Sequence, residues 1–571
     1  MDGKEITISG WVNRIRDRGS LIFILLRDHS GIVQINIDES IVSKELFDTA
    51  KALKTEYVVS IKGKICLRGE KDINYDMKTG KIEIKPNELI IISKSELVPF
   101  PINDDSVSES LRMKYRYLDL RGEKMQKNLR TRSRISLLVR NFLHSNGFTE
   151  IETPILTNSS PEGARDYLVP SRVWPGKFYA LPQSPQILKQ ILMIGGFDRY
   201  FQIAKCLRDE DLRADRQPEF TQIDIEMSFV DIDDIINLSE SLLKYIFEEF
   251  KIELDNSIPR LTFAEAMDKF GSDKPDIRFE MHLQDISNIV CNSEFPIFKN
   301  ALENNGYIRA IVAKNCSFYS RKQIDSLIEF SKEKGLGGLA WISIDSSFSI
   351  KSSISKFFDI DSLKNIAASV GAKENDLIFI AAGGYEILEA LGQLRIEIAK
   401  RENLLDNNIF KPLWITEFPL LEWNQDENRF FAKHHPFTSI MDEDILKLED
   451  NPSDARAKAY DLVINGYELG GGSIRIHNQI LQEKMFNALG YTKEQAIENF
   501  KHLMDALQYG TPPHGGIAWG LDRLAMLICR TNNIRDVIAF PKNQDGICPL
   551  TLAPNSVSEN QLEEIKISLK E

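Results

Sequence analysis

The segment from Phe201 to Phe229 constrains the fold more than any other part of the chain. It begins as a strand, passes through a charged loop and returns as a second strand. The returning strand alternates apolar and polar residues, which is the period of a half-buried antiparallel strand. Its apolar face is Ile223, Ile225, Met227 and Phe229, and its polar face is Gln222, Asp224, Glu226 and Ser228. The sequence therefore predicts an antiparallel hairpin whose polar face can line a binding site.

Three side chains at the ends of this hairpin have the chemistry to hold a nucleotide. Arg208 and Glu210 follow the first strand, and Phe220 opens the second. An arginine binds a phosphate in fork geometry, a carboxylate accepts a hydrogen bond from an exocyclic amine, and a phenyl ring covers a base. Arg-x-Glu is a weak pattern, however, and a salt-bridged surface hairpin would show the same residues. The hairpin alone leaves both interpretations open.

Two further segments narrow the choice. Thr131–Leu143 carries apolar residues at helical spacing, stops near Gly147 and continues through a short extended stretch to Pro154. Gly515–Leu527 is a glycine-bearing strand that enters a helix, with an arginine at the junction. In chain order, the helix, the hairpin and this last segment resemble motifs 1, 2 and 3 of the class II aminoacyl-tRNA synthetases.

Four shorter motifs identify the group within that class. They closely resemble motifs of the bacterial aspartyl-tRNA synthetases, and the resemblance covers nearly the whole chain. The motifs are Pro161–Tyr167, Leu181–Gln190, Phe431–Phe437 and Tyr467–Arg475.

The fold class that follows is α+β. Short β-rich runs with glycine turns predict a small barrel near the N-terminus, and a proline-bearing polar stretch after Pro99 reads as a hinge. The resemblance implies a five-stranded OB-fold barrel, an antiparallel-sheet catalytic domain and a mixed α/β insertion domain. The expected boundaries are 1–100 for the barrel, 101–115 for the hinge, 116–282 and 406–571 for the two parts of the catalytic domain, and 283–405 for the insertion.

The resemblance also implies the reaction: ATP-dependent attachment of L-aspartate to tRNA(Asp) through an aspartyl-adenylate, with release of AMP and pyrophosphate. Such chemistry needs positioning and neutralisation of phosphate charge rather than a protein nucleophile. The matching catalytic residues are Arg208 and Arg523. The ATP-binding residues are Arg208, Asp209, Glu210, Gln217, Phe220, Glu468, Gly520, Leu521, Asp522 and Arg523. Asp461 and Glu468 are the expected ligands of Mg²⁺, since two carboxylates suit a phosphate-bound cation, although Asp461 could also be an ordinary surface carboxylate.

The aspartate pocket is expected from the same motifs. Lys189 and Arg475 are the cations expected to receive the substrate side-chain carboxylate. The remaining residues expected around aspartate are Glu162, Gln186, Arg208, Asp224 and His434. The pair His434–His435 could instead ligate a metal or lie on the surface, but no third ligand stands at suitable spacing. The glycine run Gly470–Gly472 could be a flexible turn, but Glu468 and Arg475 flank it, which favours a place in the pocket.

The predicted barrel carries candidate tRNA-binding residues. Aromatic rings stack single-stranded bases and polar groups read base edges. Without the resemblance, solvated charge around an interior phenylalanine would be the simpler interpretation. The resemblance implies anticodon binding by Arg16, Phe23, Gln34 and Glu83. Arg18, in the turn that follows Arg16, is expected to accompany a preference for tRNA(Asp).

Composition sets limits on partners and location. The chain has 571 residues, a formal net charge of -13 and a pI near 5.4, which argues against sequence-blind nucleic-acid binding but not against a locally basic docking surface. No apolar run is long enough to cross a membrane, and the start of the chain lacks the pattern of a signal peptide. The sequence therefore predicts a cytoplasmic enzyme without a membrane partner. A homodimer held by the helix from about Arg130 to Ser145 is also expected, because its apolar stripe is broad for a surface helix and the motif it resembles forms a two-fold interface. Packing of the stripe within its own domain is the alternative.

Three alternatives remain at this point. An asparaginyl- or lysyl-tRNA synthetase would share the barrel and the three motifs, but its substrate would leave Lys189 and Arg475 unpaired. A non-discriminating enzyme would also charge tRNA(Asn) with aspartate. An OB-fold tRNA-binding regulator with an inactive synthetase domain would tolerate loss of Arg208, Glu468 and Arg523, and all three are present.

Overall fold

The computed structural model describes residues 2–159, 165–210, 212 and 215–569. The chain divides into two units, Met1–Ser108 and Glu109–Glu571. The elements of the first unit are β1 (Glu5–Asp17), β2 (Leu21–Arg27), β3 (Ile32–Asp38), α1 (Lys44–Lys51), β4 (Val58–Leu67) and β5 (Ile82–Ser93). Its strands close into a barrel in the order β1-β2-β3-β5-β4. The predicted five-stranded barrel is confirmed.

The barrel closes because alternate residues of each strand point inward. On β2, Ile22, Ile24 and Leu26 are at most 2% exposed. The residues between them lie on the outer face, where Phe23 pairs with Arg16 of β1 on one side and with Asn36 of β3 on the other. This outer row is the face on which bases were predicted to bind.

The second unit begins with the segment that carries motifs 1 and 2. Its elements are α2 (Glu109–Lys114), α3 (Arg116–Asp119), α4 (Glu123–Ser145), β6 (Thr149–Glu150), β7 (Leu168–Pro170), β8 (Phe178–Ala180), α5 (Gln186–Ile194), β9 (Arg199–Leu207), β10 (Glu219–Ser228), α6 (Ile232–Glu249), β11 (Arg260–Thr262) and α7 (Phe263–Phe270). Strands β9 and β10 form the predicted antiparallel hairpin.

A smaller sheet follows in the chain. Its segment contains β12 (Gln284–Asp285), α8 (Pro296–Glu303), β13 (Tyr307–Ala313), α9 (Arg321–Glu333), β14 (Ala340–Ile344), β15 (Ile350–Ser352), α10 (Ile360–Ser369), β16 (Leu377–Gly383) and α11 (Glu386–Arg401). The five strands lie in the order β12-β13-β16-β14-β15, and every pair is antiparallel.

The rest of the chain returns to the larger sheet. Its elements are β17 (Pro412–Thr416), β18 (Leu421–Asn424), β19 (Arg429–Ala432), α12 (Lys447–Asp450), β20 (Ala459–Ile464), β21 (Tyr467–Ile474), α13 (Gln479–Ala488), α14 (Lys493–Ala506), β22 (His514–Gly520), α15 (Leu521–Ile528) and α16 (Glu559–Glu564). The eight-stranded sheet has the order β11-β17-β20-β21-β22-β10-β9-β6, so strands distant in sequence become neighbours at its centre. The predicted α+β architecture is confirmed.

Helix α4 uses its apolar stripe within its own domain. Ile135, Leu138, Val139 and Leu143 are at most 3% exposed and belong to the same core as α6, β10 and α15. The stripe therefore packs within its own domain, which helical periodicity alone does not distinguish from packing against a second copy. The homodimer itself stays a prediction. On the outward side Leu137 is 47% exposed.

The predicted apolar face of β10 needs one correction. Ile223, Ile225 and Met227 are buried, but the strand ends at Ser228. Phe229 adopts a positive φ of 58° and is 71% exposed. Its N–H donates to the Pro513 carbonyl, so the backbone turns away from the sheet at this residue. None of the described helices is both long enough and apolar enough to cross a membrane.

Candidate active site and barrel face

The polar face of β10 lines a cavity of about 400 Å³. Neighbouring walls come from β21, β22, α5 and the loop that follows β19. Most of the predicted amino-acid and metal-binding residues meet in this cavity, although they come from segments far apart in the sequence. Those that line it are Gln186, Lys189, Arg208, Glu210, Asp224, His434, Asp461, Glu468 and Arg475. Glu162 lies outside the described residues.

A buried charge network forms one wall. Lys189 Nζ donates to Asp224 Oδ1 at 2.9 Å and lies 3.4 Å from Glu226 Oε2. Arg475 donates to both oxygens of Glu226, from Nε at 2.9 Å and from Nη2 at 3.0 Å. The four residues are at most 1% exposed. Two cations and two carboxylates balance, which makes burial of so much charge possible.

The network leaves donors for a ligand. Arg475 Nη1 donates to Ser473 Oγ at 2.6 Å and contacts His435 Nε2 at 2.8 Å. With the two bonds to Glu226, four of the five guanidinium N–H groups are engaged and one on Nη2 remains. The ammonium of Lys189 has a third N–H beyond Asp224 and Glu226. The bidentate partner of Arg475 in the structure is therefore Glu226.

Burial and neighbouring charges fix the protonation states of Glu226, His434 and His435. Burial raises the pKa of Glu226, but the charges of Arg475 and Lys189 outweigh it and hold the pKa below 4.5. Burial, followed by the charge of Arg475, lowers the pKa of His435 well below 6.5. Burial, Lys433 and Arg475 lower the pKa of His434 to about 4. Both imidazoles are consequently neutral at pH 7, and Glu226 is ionised.

Five buried polar atoms that line the cavity have no hydrogen-bond partner among the described residues. They are Gln186 Nε2, Arg208 Nε, Asp224 Oδ2, His434 Nε2 and Asp461 Oδ1. Buried polar groups are nearly always paired, so an unpaired set that faces one cavity indicates a polar ligand. Gln186 and Lys189 lie one turn apart on α5, which places them on one face of the helix.

Asp461 and Glu468 lie on the adjacent strands β20 and β21. Burial, then the charges of Glu468 and Asp273, raise the pKa of Asp461 well above 3.8. A Cβ on Gly471 would stand 2.5 Å from Asp461 Oδ1, so only glycine leaves room for that carboxylate. An unpaired carboxylate oxygen beside a second carboxylate fits a Mg²⁺ ion, which needs few protein ligands.

The rest of the glycine run serves the sheet. A Cβ on Gly470 would stand 2.5 Å from Trp519 Cδ1, and one on Gly472 would stand 2.1 Å from the Gly516 carbonyl oxygen. Gly471 and Gly472 also line the cavity. The run is therefore part of strand β21 rather than a flexible turn, and it lies in the pocket wall.

Arg208 and Phe220 meet at the open end of the hairpin. The guanidinium carbon of Arg208 lies 5.2 Å from the centre of the Phe220 ring, within cation–π range. Glu210 is exposed and pairs with Arg216 at 3.4 Å. Asp209 is exposed, and its N–H donates to the Arg165 carbonyl. Arg208 thus contacts the Phe220 ring, and Arg208 and Glu210 both line the cavity, while nucleotide binding by these residues stays a prediction.

The remaining predicted ATP-binding residues lie at the junction of β22 and α15 or next to the hairpin. Arg523 donates to the Glu468 carbonyl at 2.7 Å and pairs with Asp215 at 3.3 Å. Gly520 caps α15, and Leu521 is 2% exposed. Asp522 is engaged on both oxygens, by Arg132 and by the N–H of Thr221. Gln217 forms two hydrogen bonds with the backbone of Lys542. Through these contacts Asp522 and Gln217 hold the β9–β10 hairpin against neighbouring segments.

The barrel face contains a second polar cluster. Glu83 accepts from Gln34 Nε2 at 3.2 Å and from Asn36 Nδ2 at 2.8 Å. Arg68 Nε lies 4.0 Å from Glu83, and its side chain is 4% exposed. Arg68 Nε and Nη2 and Asn36 Oδ1 have no hydrogen-bond partner in the described part of the chain. Gln34 and Glu83 thus lie beside unsatisfied groups, on the face that carries the Arg16–Phe23–Asn36 row.

Sequence reasoning missed five residues of these two sites: Glu226, His435, Asp273, Asn36 and Arg68. The alternation of β10 had placed Glu226 on the polar face, but nothing local joined it to Arg475, which is 249 residues away. His435 adjoins a predicted residue, and Asn36 follows Gln34 at the strand period of two. Asp273 and Arg68 lie outside the motifs and have no such signal.

We expect acid to destabilise the fold through His434. Its folded pKa of about 4 lies below the ordinary 6.5, so between these values the unfolded chain binds a proton that the folded form excludes. Stability is therefore full above pH 6.5 and falls as the pH is lowered, by about 2 kcal/mol at pH 5. Thermal denaturation at pH 7 and pH 5 should show a smaller loss for His434→Gln than for the parent. His144→Gln, at an exposed histidine, is the control, and an unchanged pH dependence in His434→Gln would contradict the assignment.

Comparisons with known proteins agree with the geometry. The family described as tRNA synthetases class II (D, K and N) matches residues 108–544, and the OB-fold nucleic acid binding domain matches residues 6–92. The chain is 54% identical to an aspartate–tRNA(Asp/Asn) ligase of Caldanaerobacter subterraneus, over 99% of this chain and 96% of that protein. It is 53% identical to an aspartate–tRNA ligase of Ruminiclostridium cellulolyticum, with the same coverage.

Solved structures support the fold. The asparaginyl-tRNA synthetase of Pyrococcus horikoshii, complexed with asparaginyl-adenylate, aligns with a TM-score of 0.59 at 18% identity, over 95% of each chain. The asparaginyl-tRNA synthetase of Entamoeba histolytica aligns with a TM-score of 0.59 at 19% identity, over 95% of this chain and 96% of that one. With the three motifs assembled on one largely antiparallel sheet, the chain belongs to the class II tRNA synthetases of the D, K and N group.

Proposed function

We propose that this enzyme attaches L-aspartate to tRNA(Asp) in two steps. An oxygen of the aspartate α-carboxylate attacks the α-phosphorus of ATP, the bond to pyrophosphate breaks, and aspartyl-adenylate forms. A hydroxyl of the terminal tRNA ribose then attacks the aspartyl carbonyl, and AMP leaves. The observation that carries the proposal is the buried network of Lys189, Arg475, Asp224 and Glu226, with unused donors on both cations. The relatives named as aspartate–tRNA ligases support it.

The network favours aspartate over the two other amino acids of the group. Its own charges sum to zero, so the free N–H groups of Lys189 and Arg475 can each bind one oxygen of the substrate side-chain carboxylate. Asp224 Oδ2, which has no partner, can accept from the substrate ammonium. A lysine side chain would add a third cation to the two cations and two carboxylates of the network. An asparagine side chain would offer no negative charge to the free N–H groups of the two cations. Arg208 supplies the charge that balances the α-carboxylate.

The nucleotide half of the site follows from the hairpin. Phe220 offers a ring for adenine, Glu210 an acceptor for its amine, and Arg208 a fork for the α-phosphate. Arg523, held by the Glu468 carbonyl, can bind ATP from the opposite side. Asp461 and Glu468 would hold Mg²⁺, which supplies charge neutralisation for the phosphates when bound. The protein residues orient the reacting oxygen and phosphorus.

The barrel face supplies tRNA binding. Phe23 can stack one base, while Gln34 and Glu83 read base edges. Arg68 and Asn36 join them, because both carry unpaired polar atoms beside Glu83. Active-site residues belong to the other unit of the chain. Recognition of tRNA and formation of the adenylate should therefore respond to different substitutions.

We expect the double variant Phe23→Ala and Gln34→Ala to raise the KM for tRNA without changing adenylate formation. Loss of one stacked base is worth about 1–3 kcal/mol, or about 5- to 150-fold in KM. Aminoacylation at varied tRNA measures the first effect and pyrophosphate exchange the second. Ile90→Ala is the matched control, because Ile90 is 50% exposed on β5 and pairs with Ser60, outside the Arg16–Phe23–Asn36 row. Equal losses in both assays would contradict the division of labour.

The choice of tRNA is the open part of the substrate range. The relatives include proteins named for tRNA(Asp/Asn) and proteins named for tRNA(Asp) alone. Aspartate and asparagine anticodons differ at one base, and readout of one base is worth about 1–3 kcal/mol. Arg18 is exposed in the turn between β1 and β2, and we expect it to favour tRNA(Asp).

Charging of purified tRNA(Asp) and tRNA(Asn) with aspartate, at matched salt, tests the proposed function and the tRNA preference together. The proposal predicts efficient charging of tRNA(Asp) with aspartate and none with asparagine or lysine. Equal catalytic efficiency on the two tRNAs would identify a non-discriminating enzyme. Binding of tRNA without any charging would identify the regulator alternative.

We also expect a homodimer, on the strength of the family motif rather than of the α4 stripe. Light scattering at low micromolar protein should give about twice the chain mass of 65.2 kDa. A particle of 65 kDa would refute the dimer. Leu137→Glu, on the outward side of α4, should shift the equilibrium toward monomer if this helix face takes part, while Leu97→Glu, 94% exposed in the other unit, should not.

A further inference from the structure

The loop from Gly271 to Met281 joins α7 to β12 and lies against the hairpin that carries the two metal-site carboxylates. A Cβ on Gly466, in the turn between β20 and β21, would stand 3.4 Å from the Cβ of Asp276 and 3.9 Å from the Lys274 carbonyl. On its other side the loop contacts α11. The last helix of the insertion and the catalytic sheet thus enclose one loop.

Arg395 of α11 clamps this loop. It is 1% exposed and donates from Nε to the Met281 carbonyl at 3.0 Å. Its Nη2 donates to the carbonyls of Asp276 and Phe279 at 2.7 and 3.0 Å. The guanidinium also covers the Phe279 ring at 4.0 Å. One buried side chain therefore fixes three backbone positions of the loop.

A close backbone contact fixes the start of the same loop. Gly271 ends α7 with a φ of 63°, and a Cβ there would stand 2.0 Å from the Leu388 carbonyl oxygen. A Cβ on Gly392 would stand 2.4 Å from the Gly271 carbonyl oxygen. Two glycines thus allow α7 and α11 to approach more closely than any side chain would permit. The contact leaves the loop little freedom relative to α11.

The clamped loop brings Asp273 into the active-site cavity. Asp273 lines it together with Asp461 and Glu468, and its carboxylate forms no hydrogen bond or ion pair within the described residues. Asp461 is only 8% exposed, and its Oδ1 is unpaired and faces the same space. The charge of Asp273 also contributes to the raised pKa of Asp461. Three carboxylates that form no ion pair in the described part of the chain therefore line the same cavity.

We propose that Asp273 is a third carboxylate of the metal and phosphate subsite, and that Arg395 is the positioning residue that holds it there. The proposal rests on the proposed function, because it assigns a further residue to the same ATP site. The described residues contain no group of three side chains close enough to ligate one ion directly. Asp273 therefore acts through the water shell, which Mg²⁺ retains in protein sites. When the ion is bound, this carboxylate would accept hydrogen bonds from that shell and help to neutralise the charge of the cation.

Through Arg395 and the loop that it holds, the insertion would contribute to metal binding at the active site. The loop between α7 and β12 contributes Asp273, and α11, at the end of the insertion, contributes the clamp. Partners of this outer kind typically change metal affinity by about 10- to 100-fold when they are replaced. Such a change alters the metal dependence of the reaction rather than its amino-acid specificity.

The test measures metal affinity directly. Titration of Mn²⁺ into the full-length protein with a non-hydrolysable ATP analogue, followed by electron paramagnetic resonance, reports the free ion. Asp273→Asn should weaken Mn²⁺ binding about 10- to 100-fold and raise the Mg²⁺ concentration for half-maximal pyrophosphate exchange to match. The KM for aspartate at saturating Mg²⁺ should stay within twofold. Glu389→Gln is the control, since Glu389 lines the larger neighbouring cavity of about 1210 Å³ but not the active site.

Arg395→Lys keeps the charge but not the three-point clamp, so it should shift Mn²⁺ affinity in the same direction as Asp273→Asn. Circular dichroism of both variants checks the fold. Unchanged Mn²⁺ affinity in Asp273→Asn overturns the proposal, and a raised KM for aspartate would then assign Asp273 to the amino-acid pocket. Weakened binding in Asp273→Asn but not in Arg395→Lys overturns the positioning role. Aspartate-dependent exchange by the parent enzyme tests the proposed function separately.

Discussion

Replacing Arg475 with leucine should reduce kcat/KM for aspartate in pyrophosphate exchange by at least about 150-fold, which corresponds to about 3 kcal/mol. The variant loses the N–H that is free for the substrate carboxylate. It also leaves Glu226 with Lys189 as its only buried cation, and the network then carries a net negative charge that opposes aspartate. ATP binding should change little, because Arg208, Phe220 and Arg523 lie on other elements.

A matched pair of controls separates chemistry from folding. Arg475→Lys retains a cation and should lose less activity than Arg475→Leu, although it cannot bridge both oxygens of Glu226. Thermal denaturation shows whether either variant remains folded. Near-normal exchange by a folded Arg475→Leu variant would remove Arg475 from the pocket.

Replacing Arg208 with methionine should lower kcat for pyrophosphate exchange by about 100- to 1000-fold, because removal of one donor at a developing charge costs about that much. Arg208 Nε is buried and has no hydrogen-bond partner among the described residues, so the side chain is held ready for a ligand at the cost of an unsatisfied donor. Its ring contact with Phe220 does not satisfy that N–H.

The control for Arg208 lies on the same strand. Arg199 is exposed at the other end of β9 and donates to the Asn146 carbonyl, so Arg199→Met alters a charge without touching the cavity. Exchange should stay close to the parent in that variant. Comparable losses in the two variants would show that the Arg208 effect reflects the strand or the overall charge, and not contact with ATP.

The local pattern of apolar and polar residues predicted helix α4 and strand β10 because helices and strands each have their own periodicity. The alternation in β10 gave the hairpin, and the helical spacing in α4 gave a helix that continues to Ser145. The same patterns failed where the outcome depended on a distant partner. Helical period could not show that Ile135 and Val139 face α6 and α15 instead of a second copy. Strand period could not show that Phe229 leaves the sheet where its N–H meets Pro513.

The residues of the site could be predicted from the sequence where they belong to a recognisable motif. Lys189, Asp224 and Arg475 came from three motifs and meet in one cavity. Their chemistry is set by residues to which the motifs gave no role in the aspartate pocket. Glu226 takes two of the five N–H groups of Arg475 and leaves one on Nη2 for a substrate, and His435 stays neutral beside Arg475. Such partners are joined only by folding, because Glu226 lies 249 residues and His435 lies 40 residues from Arg475.

The most direct test of the central claim is pyrophosphate exchange by the purified full-length protein with aspartate, asparagine or lysine as the only amino acid. Without tRNA, the assay reports adenylate formation alone. The buried network predicts exchange with aspartate and at least about a 100-fold lower kcat/KM with the other two amino acids. Asparagine offers no charged acceptor to the free N–H groups of Lys189 and Arg475, and lysine adds a third cation. Exchange that is equal for aspartate and asparagine, or absent with all three, would contradict the account.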